Sequence, residues 1–182
     1  TLFPYTTLFR SDPQHRLKVG WCANKTGDRS VKGYDEVLQP LRKRLGDAVR
    51  WEINDRTYRS ALTREEMLRW YETLDLFLCT SINEGTPSPL FEAAACGVTI
   101  LSPPVGMVAD WPLPQQLGLI VPAYHDEATA AATVEALAEK ITVIDRARKD
   151  LPDIGEMLYR DISNRYDLNL LAPKYWRVIL GA

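Results

Sequence analysis

The stretch SINEGTPSPLFEAAACGVTILS, Ser81 to Ser102, sets two carboxylates, Glu84 and Glu92, eight positions apart across a junction from loop to helix. Before it runs Leu74-Asp75-Leu76-Phe77-Leu78-Cys79, a nearly continuous apolar run of strand length, as expected of a parallel strand buried on both faces. Thr80 to Ser88 carries Gly, Asn, Ser and Pro, so the strand has to stop there. Pro89 suits the first position of a helix with Ser88 as its cap, because the missing proline N–H is not needed at that place. The amides of Leu90 and Phe91 are then expected to be free and to point over the carboxyl edge of the sheet. That arrangement favours phosphate. Ala93, Ala94, Ala95 and Cys96 keep the helix slim, and Gly97 can close it in the left-handed conformation.

These residues resemble the donor-binding signature of retaining GT-B glycosyltransferases, in particular the group 4 family. The pattern is Glu, seven residues, Glu: Glu84-Gly85 opens it, Glu92-Ala93 closes it, and Gly97 follows. The likeness extends over roughly residues 17 to 122. It implies that Glu84 and the loop Gly85, Thr86, Pro87, Ser88 face a donor sugar, that the Leu90 and Phe91 amides receive a diphosphate, and that Glu92 holds the ribose hydroxyls. Carboxylates accept such hydroxyl bonds strongly. The bland alternative makes Glu84 a solvated loop residue and Glu92 an acid compensating the helix dipole. For either residue alone the bland reading is preferable; the pair in its setting favours the functional one.

Upstream, Leu17-Lys18-Val19-Gly20-Trp21-Cys22 reads as a first strand, followed by a polar loop and Lys32-Gly33-Tyr34-Asp35 leading into a helix that carries Val37, Leu38, Leu41 and Leu45. The resemblance implies that Lys32 reaches the donor diphosphate. Many relatives place an arginine after the first-strand glycine, where this chain has Trp21. Arg29 or Lys25 could substitute, and the sequence does not choose between them. Taken alone, Lys32 would be a surface lysine.

The first eleven residues, Thr1 to Ser11, resemble the in-frame translation of a widely used short-read sequencing adapter, so we expect residues 1–11 to be unstructured and residues 12–182 to form one nucleotide-sugar-binding, Rossmann-like α/β domain. The resemblance then implies the carboxy-terminal half of a GT-B fold, a parallel sheet flanked by helices with a helical end, whose amino-terminal, acceptor-binding half is missing. The 182 residues can bury one substantial core, with 46% hydrophobic content. Twenty-two basic against twenty-four acidic residues give a net charge of −2, scattered without a basic stripe, which argues against a nucleic-acid partner. No run approaches membrane-spanning length, so a soluble, cytoplasmic domain is expected, with peripheral membrane contact through the other half left open. Cys22, Cys79 and Cys96 lack CxxC spacing and are expected to be buried and reduced; His15 and His125 have no partner cluster, so no metal site is expected.

Elsewhere strands and helices alternate. Residues 49–53 read as a second strand, and Thr63-Arg64-Glu65-Glu66 as a capping box opening a helix through Met67, Leu68, Trp70 and Tyr71, whose aromatics are core candidates. Residues 98–102 and 119–122 read as further strands. Gly106 and Asp110 stand nearest to a glycine turn and acid of the family, with a structural loop as the simpler reading. From Asp126 the chain turns helical, with a break at residues 150–153 and amphipathic segments over 154–166 and 168–180. The function expected is retaining glycosyl transfer from a nucleotide-diphospho-sugar, with Glu84 and Lys32 as catalytic residues and neither cofactor nor metal; the fragment alone should be inactive. The alternatives are a stand-alone nucleotide-binding or interaction domain and a sugar-nucleotide epimerase-like enzyme.

Overall fold

The computed structural model describes residues 15–23, 31–55, 62–167 and 169–173. Lys25 and Arg29, and the amino-terminal segment, lie outside them. Four parallel strands form one sheet: β1 (Leu17–Ala23), β2 (Val49–Asp55), β3 (Leu76–Leu78) and β4 (Thr99–Leu101), in the order β2-β1-β3-β4. Strands β1 and β2 pair over their whole length, Leu17 opposite Val49 through Ala23 opposite Asp55, whereas β1 and β3 share two register pairs, Val19 with Leu76 and Gly20 with Phe77. Strands β3 and β4 are buried at every residue, apolar throughout in β3 and with Thr99 the one polar side chain in β4, as a parallel sheet covered by helices requires.

The helices are α1 (Gln39–Leu45), α2 (Arg64–Glu72), α3 (Ser88–Ala95), α4 (Pro112–Gln116), α5 (Glu127–Arg146) and α6 (Leu151–Tyr166). A five-residue π-helical turn, Tyr34–Leu38, precedes α1. Two starts follow their sequence signals closely. Thr63 and Glu66 form a reciprocal capping box at α2, and Asp126 and Thr129 form another at α5. The end of α3 does so too: Gly97 has φ 69°, its N–H bonds to Ala94 O and that of Val98 to Ala93 O, which together make a Schellman close.

Four expectations need correction. Pro87, not Ser88, flanks α3, and no side chain caps that helix; Ser88 is its first residue. The stretch 119–122 makes only a single bridge, Ile120 with Ser102, because Pro103 and Pro122 on either side lack the N–H groups a ladder needs. Cys96 is half-buried, while Cys22 and Cys79 are buried; none of the three is in a disulfide. The segment expected over 154–166 begins earlier, at Leu151, with Pro152 in its first turn. Residues 169–173 are helical. Among the described residues no helix is long and apolar enough to cross a membrane.

Candidate functional site

A cleft of about 250 Å³ opens at the carboxyl ends of β1 and β3, lined by residues that include Trp21, Lys32, Thr80, Ser81, Glu84, Thr86, Pro87, Ser88 and Leu90. Ligands of open α/β sheets bind at this edge. The charged groups in its lining are Lys32 and Glu84, and they meet: Lys32 Nζ lies 2.6 Å from Glu84 Oε1. Ser81 Oγ donates to the same carboxylate oxygen at 2.7 Å. The pair is only partly exposed, 31% at Lys32 and 14% at Glu84, so water screens it less than a surface bridge.

The two loops that bring these residues together are tied through Thr80. Its hydroxyl donates to Lys32 O at 2.6 Å and accepts from Trp21 Nε1 at 2.9 Å, and its carbonyl accepts from Tyr124 OH at 2.8 Å. Trp21, buried in an edge contact with Tyr34, thus braces the loops at the place where the resemblance leads one to look for an arginine. Gly33, at φ 64°, sits so near this knot that a Cβ would lie 2.0 Å from Thr80 O. Only glycine fits there.

The signature loop is held from its other side by residues 106 and 107. Met107 N–H donates to Gly85 O at 3.0 Å, Thr86 Oγ1 lies 3.1 Å from Met107 Sδ, and a Cβ on Gly106 would come within 2.1 Å of Gly85 O. Gly106, read from sequence as a loop residue, therefore bounds the position of the Glu84 peptide. Asp110 is exposed and lies outside the cleft lining.

The amides of Leu90 and Phe91 are not free, contrary to the expectation: both donate to Pro87 O, at 2.9 and 3.3 Å, and Ser88 N–H donates to Thr86 O at 2.8 Å. With Pro87 flanking the helix, its carbonyl caps the first turn inward. Among the described residues the amides of Gly85 and Thr86 donate to no acceptor. The ring of Phe91 stacks on Trp111 at 5.2 Å and meets Tyr166 edge-on, joining α3 to α6 on the side away from the cleft. Trp111 Nε1 in turn donates to Asp161 on α6.

Glu92 is exposed and is not part of the cleft lining. It lies on the same stripe of α3 as Ser88 and Pro89, which do line it, one turn further along. Its Oε2 accepts from the hydroxyl of Tyr71 at 2.8 Å. The ring of Tyr71 is buried against Trp70 and Phe77, and burial first, then the neighbouring Glu92 charge, pushes its phenol far above the ordinary value. Burial likewise pushes up the thiol of Cys79, which also lines the cleft. Sequence reading missed Thr80, Ser81, Tyr71 and Met107. Only Ser81 had a local signal, standing three residues before Glu84.

Residues 32–139, more than half of the chain, match the family described as glycosyl transferases group 1. The chain is 33% identical over 124 residues to the D-inositol 3-phosphate glycosyltransferase of Mycobacteroides abscessus, a match that covers 66% of this chain and 27% of that protein. Among solved structures it resembles Anabaena HepE in complex with UDP and glucose, at TM-score 0.67 and 14% identity, over 93% of this chain and 50% of the other. TarM is similar at TM-score 0.65 and 16% identity, with 91% and 36% covered, and the catalytic domain of the cholesterol-alpha-glucosyltransferase of Helicobacter pylori at 0.56 and 11%, with 81% and 98% covered. The chain thus spans about half or less of most of these proteins. The sheet order, the cleft at its carboxyl edge and the match over residues 32–139 lead to one conclusion: the chain belongs to the glycosyl transferases group 1 family, with the Rossmann-like domain of a GT-B fold.

Proposed function

We propose that this domain binds a nucleotide-diphospho-sugar and presents it for retaining glycosyl transfer, as in the group 4 enzymes, within a longer protein that supplies the acceptor side. The observation that carries the reading is the Lys32–Glu84 pair, 2.6 Å apart at the mouth of a cleft over the sheet's carboxyl edge. Lys32 would pair with the donor's diphosphate and stabilise charge developing on the leaving oxygen. Glu84, held by Ser81, would accept from sugar hydroxyls, and the Gly85 and Thr86 amides would take the anion-binding role first expected of Leu90 and Phe91. The HepE structure was solved with UDP and glucose, which makes uridine diphosphate a sound first probe. A cation and the loop amides can perform this stabilisation without a metal. Transfer needs both reactants held in line and water excluded, so the isolated domain should bind donor without efficient turnover.

The test is calorimetry with uridine, guanosine and adenosine diphosphates, their sugar conjugates and the bare nucleosides. The expected result is that one diphosphate binds and that Lys32→Ala weakens it more than it weakens the nucleoside. Binding that ignores Lys32→Ala, or turnover of a nucleotide sugar onto an added acceptor at ordinary enzymatic rates, would overturn the reading. A stand-alone nucleotide-binding module is the competing outcome, and an epimerase-like enzyme would convert the sugar without an acceptor.

A further inference from the structure

We propose that Tyr71 is a positioning residue that aims Glu92 at the vicinal diol of a nucleotide's ribose and so gives the site its preference for ribonucleotides over deoxyribonucleotides. The inference rests on the donor-binding reading of Glu92 and adds to it a residue on a different helix.

A glutamate on an exposed helix face ordinarily samples many rotamers, and fixing one costs side-chain entropy when a ligand arrives. Here the cost is met in the empty protein. The Tyr71 hydroxyl donates to Glu92 Oε2 at 2.8 Å, and the phenol itself cannot swing. Its ring is 1% exposed, packed at 5.2 Å from Trp70 and 5.8 Å from Phe77. A rigid neutral donor beneath a carboxylate uses one lone pair of one oxygen. The remaining lone pairs, including both on Oε1, can accept from two adjacent hydroxyls. A diol matches that geometry, while a single hydroxyl uses half of it. The stripe of α3 that carries Glu92 also carries Ser88 and Pro89 at the cleft rim, so a ligand seated on the Lys32–Glu84 pair can reach it.

The experiment compares uridine, guanosine and adenosine diphosphates with their 2′,3′-dideoxy counterparts by calorimetry on the full chain, in wild type, Tyr71→Phe and Glu92→Gln. Tyr71→Phe keeps the buried ring and removes only the hydroxyl, and a thermal melt verifies that it folds. The expected result is a loss of roughly three- to tenfold in affinity for the ribose ligand in Tyr71→Phe, with no change for the dideoxy ligand. Glu92→Gln should show a larger loss with the same contrast. A merely structural role for Tyr71 would weaken both ligands alike. If Glu92→Gln distinguishes the two ligands while Tyr71→Phe does not, the positioning role is wrong and the donor reading stands. If neither variant does, or no diphosphate binds, both fall together.

Discussion

Glu84 and Glu92 are the same residue type on one short segment, yet the fold treats them in opposite ways. Glu84 is withdrawn into a cleft, spent on a lysine and a serine, with its loop clamped between Thr80 on one side and Gly106-Met107 on the other. Glu92 stands in solvent with one oxygen tethered to a buried phenol. The difference is one of what a ligand must displace. An anion entering the cleft competes with Glu84 for Lys32, so the site there is a charge exchange. At Glu92 nothing needs to leave, and a ligand hydroxyl finds free lone pairs. One carboxylate is poised to respond to ligand; the other is a fixed acceptor.

The sharpest way to break this contrast is to attack the clamp. Gly106→Ala combines a left-handed backbone with a Cβ about 2.1 Å from Gly85 O, a clash of backbone on backbone. We expect on the order of 2–3 kcal/mol of lost stability in urea unfolding. A loss under about 0.5 kcal/mol would mean that the loop of Glu84 is free to shift, and the contrast would dissolve.

Next in size is Lys32→Ala, expected to weaken nucleoside diphosphate binding by roughly 1.5–3 kcal/mol and to flatten its salt dependence. Glu84→Gln, which removes the competitor while keeping its shape, should move the same affinity the other way. A Glu84→Gln variant that binds a diphosphate more weakly than wild type would show that the two charges cooperate instead of exchanging.

The tether predicts a smaller, purely energetic coupling. Glu92→Ala leaves the Tyr71 O–H buried with no acceptor, which costs about 1–2 kcal/mol of stability. Adding Tyr71→Phe removes the stranded group, so the double variant should recover most of that loss. Additive single effects would show that the phenol finds water instead.

The smallest effect concerns the helix that carries Tyr71. At Glu66 the bonds from Thr63 hold the carboxyl below its ordinary value of 4.5. Its folded-state pKa is depressed, so the contribution of the capping box is complete above the unfolded value and lost as pH falls through the folded one. Acid titration followed by far-UV dichroism should then reveal earlier loss of stability for wild type than for Glu66→Gln, relative to each protein's value at neutral pH. Parallel curves would remove the box as a contributor.

What the sequence made legible was local chemistry. Thr63 with Glu66, Asp126 before its helix, and Gly97 after Ala95 each act on neighbours a few residues away, and each forms as read. The apolar run that contains β3 announced a parallel strand buried on both faces. The first turn of α3 shows the limit even of local reading. The sequence points to Ser88 as the cap, whereas the helix starts one residue earlier behind Pro87, and that shift consumes the Leu90 and Phe91 amides on which a phosphate site was expected. The site's remaining supports join residues far apart in the chain: Trp21 with Thr80, Tyr71 with Glu92, Met107 with Gly85. No spacing rule reaches them, because each depends on which helix the sheet order sets beside which loop.

The seam between β1 and β3 has a consequence for how the domain opens. It carries two register pairs where β1 and β2 share seven, and it closes the longest stretch of intervening chain of the three strand pairings, hence the largest loop entropy. The cleft lies directly over this seam, with Lys32 on a loop from one strand and Glu84 on a loop from the other. A ligand that grips both loops therefore acts as a splint across the weakest joint in the sheet. Amide exchange should slow most at Gly20, Phe77 and Leu78 when a nucleotide binds, and the gain should grow with ligand concentration as mass action requires.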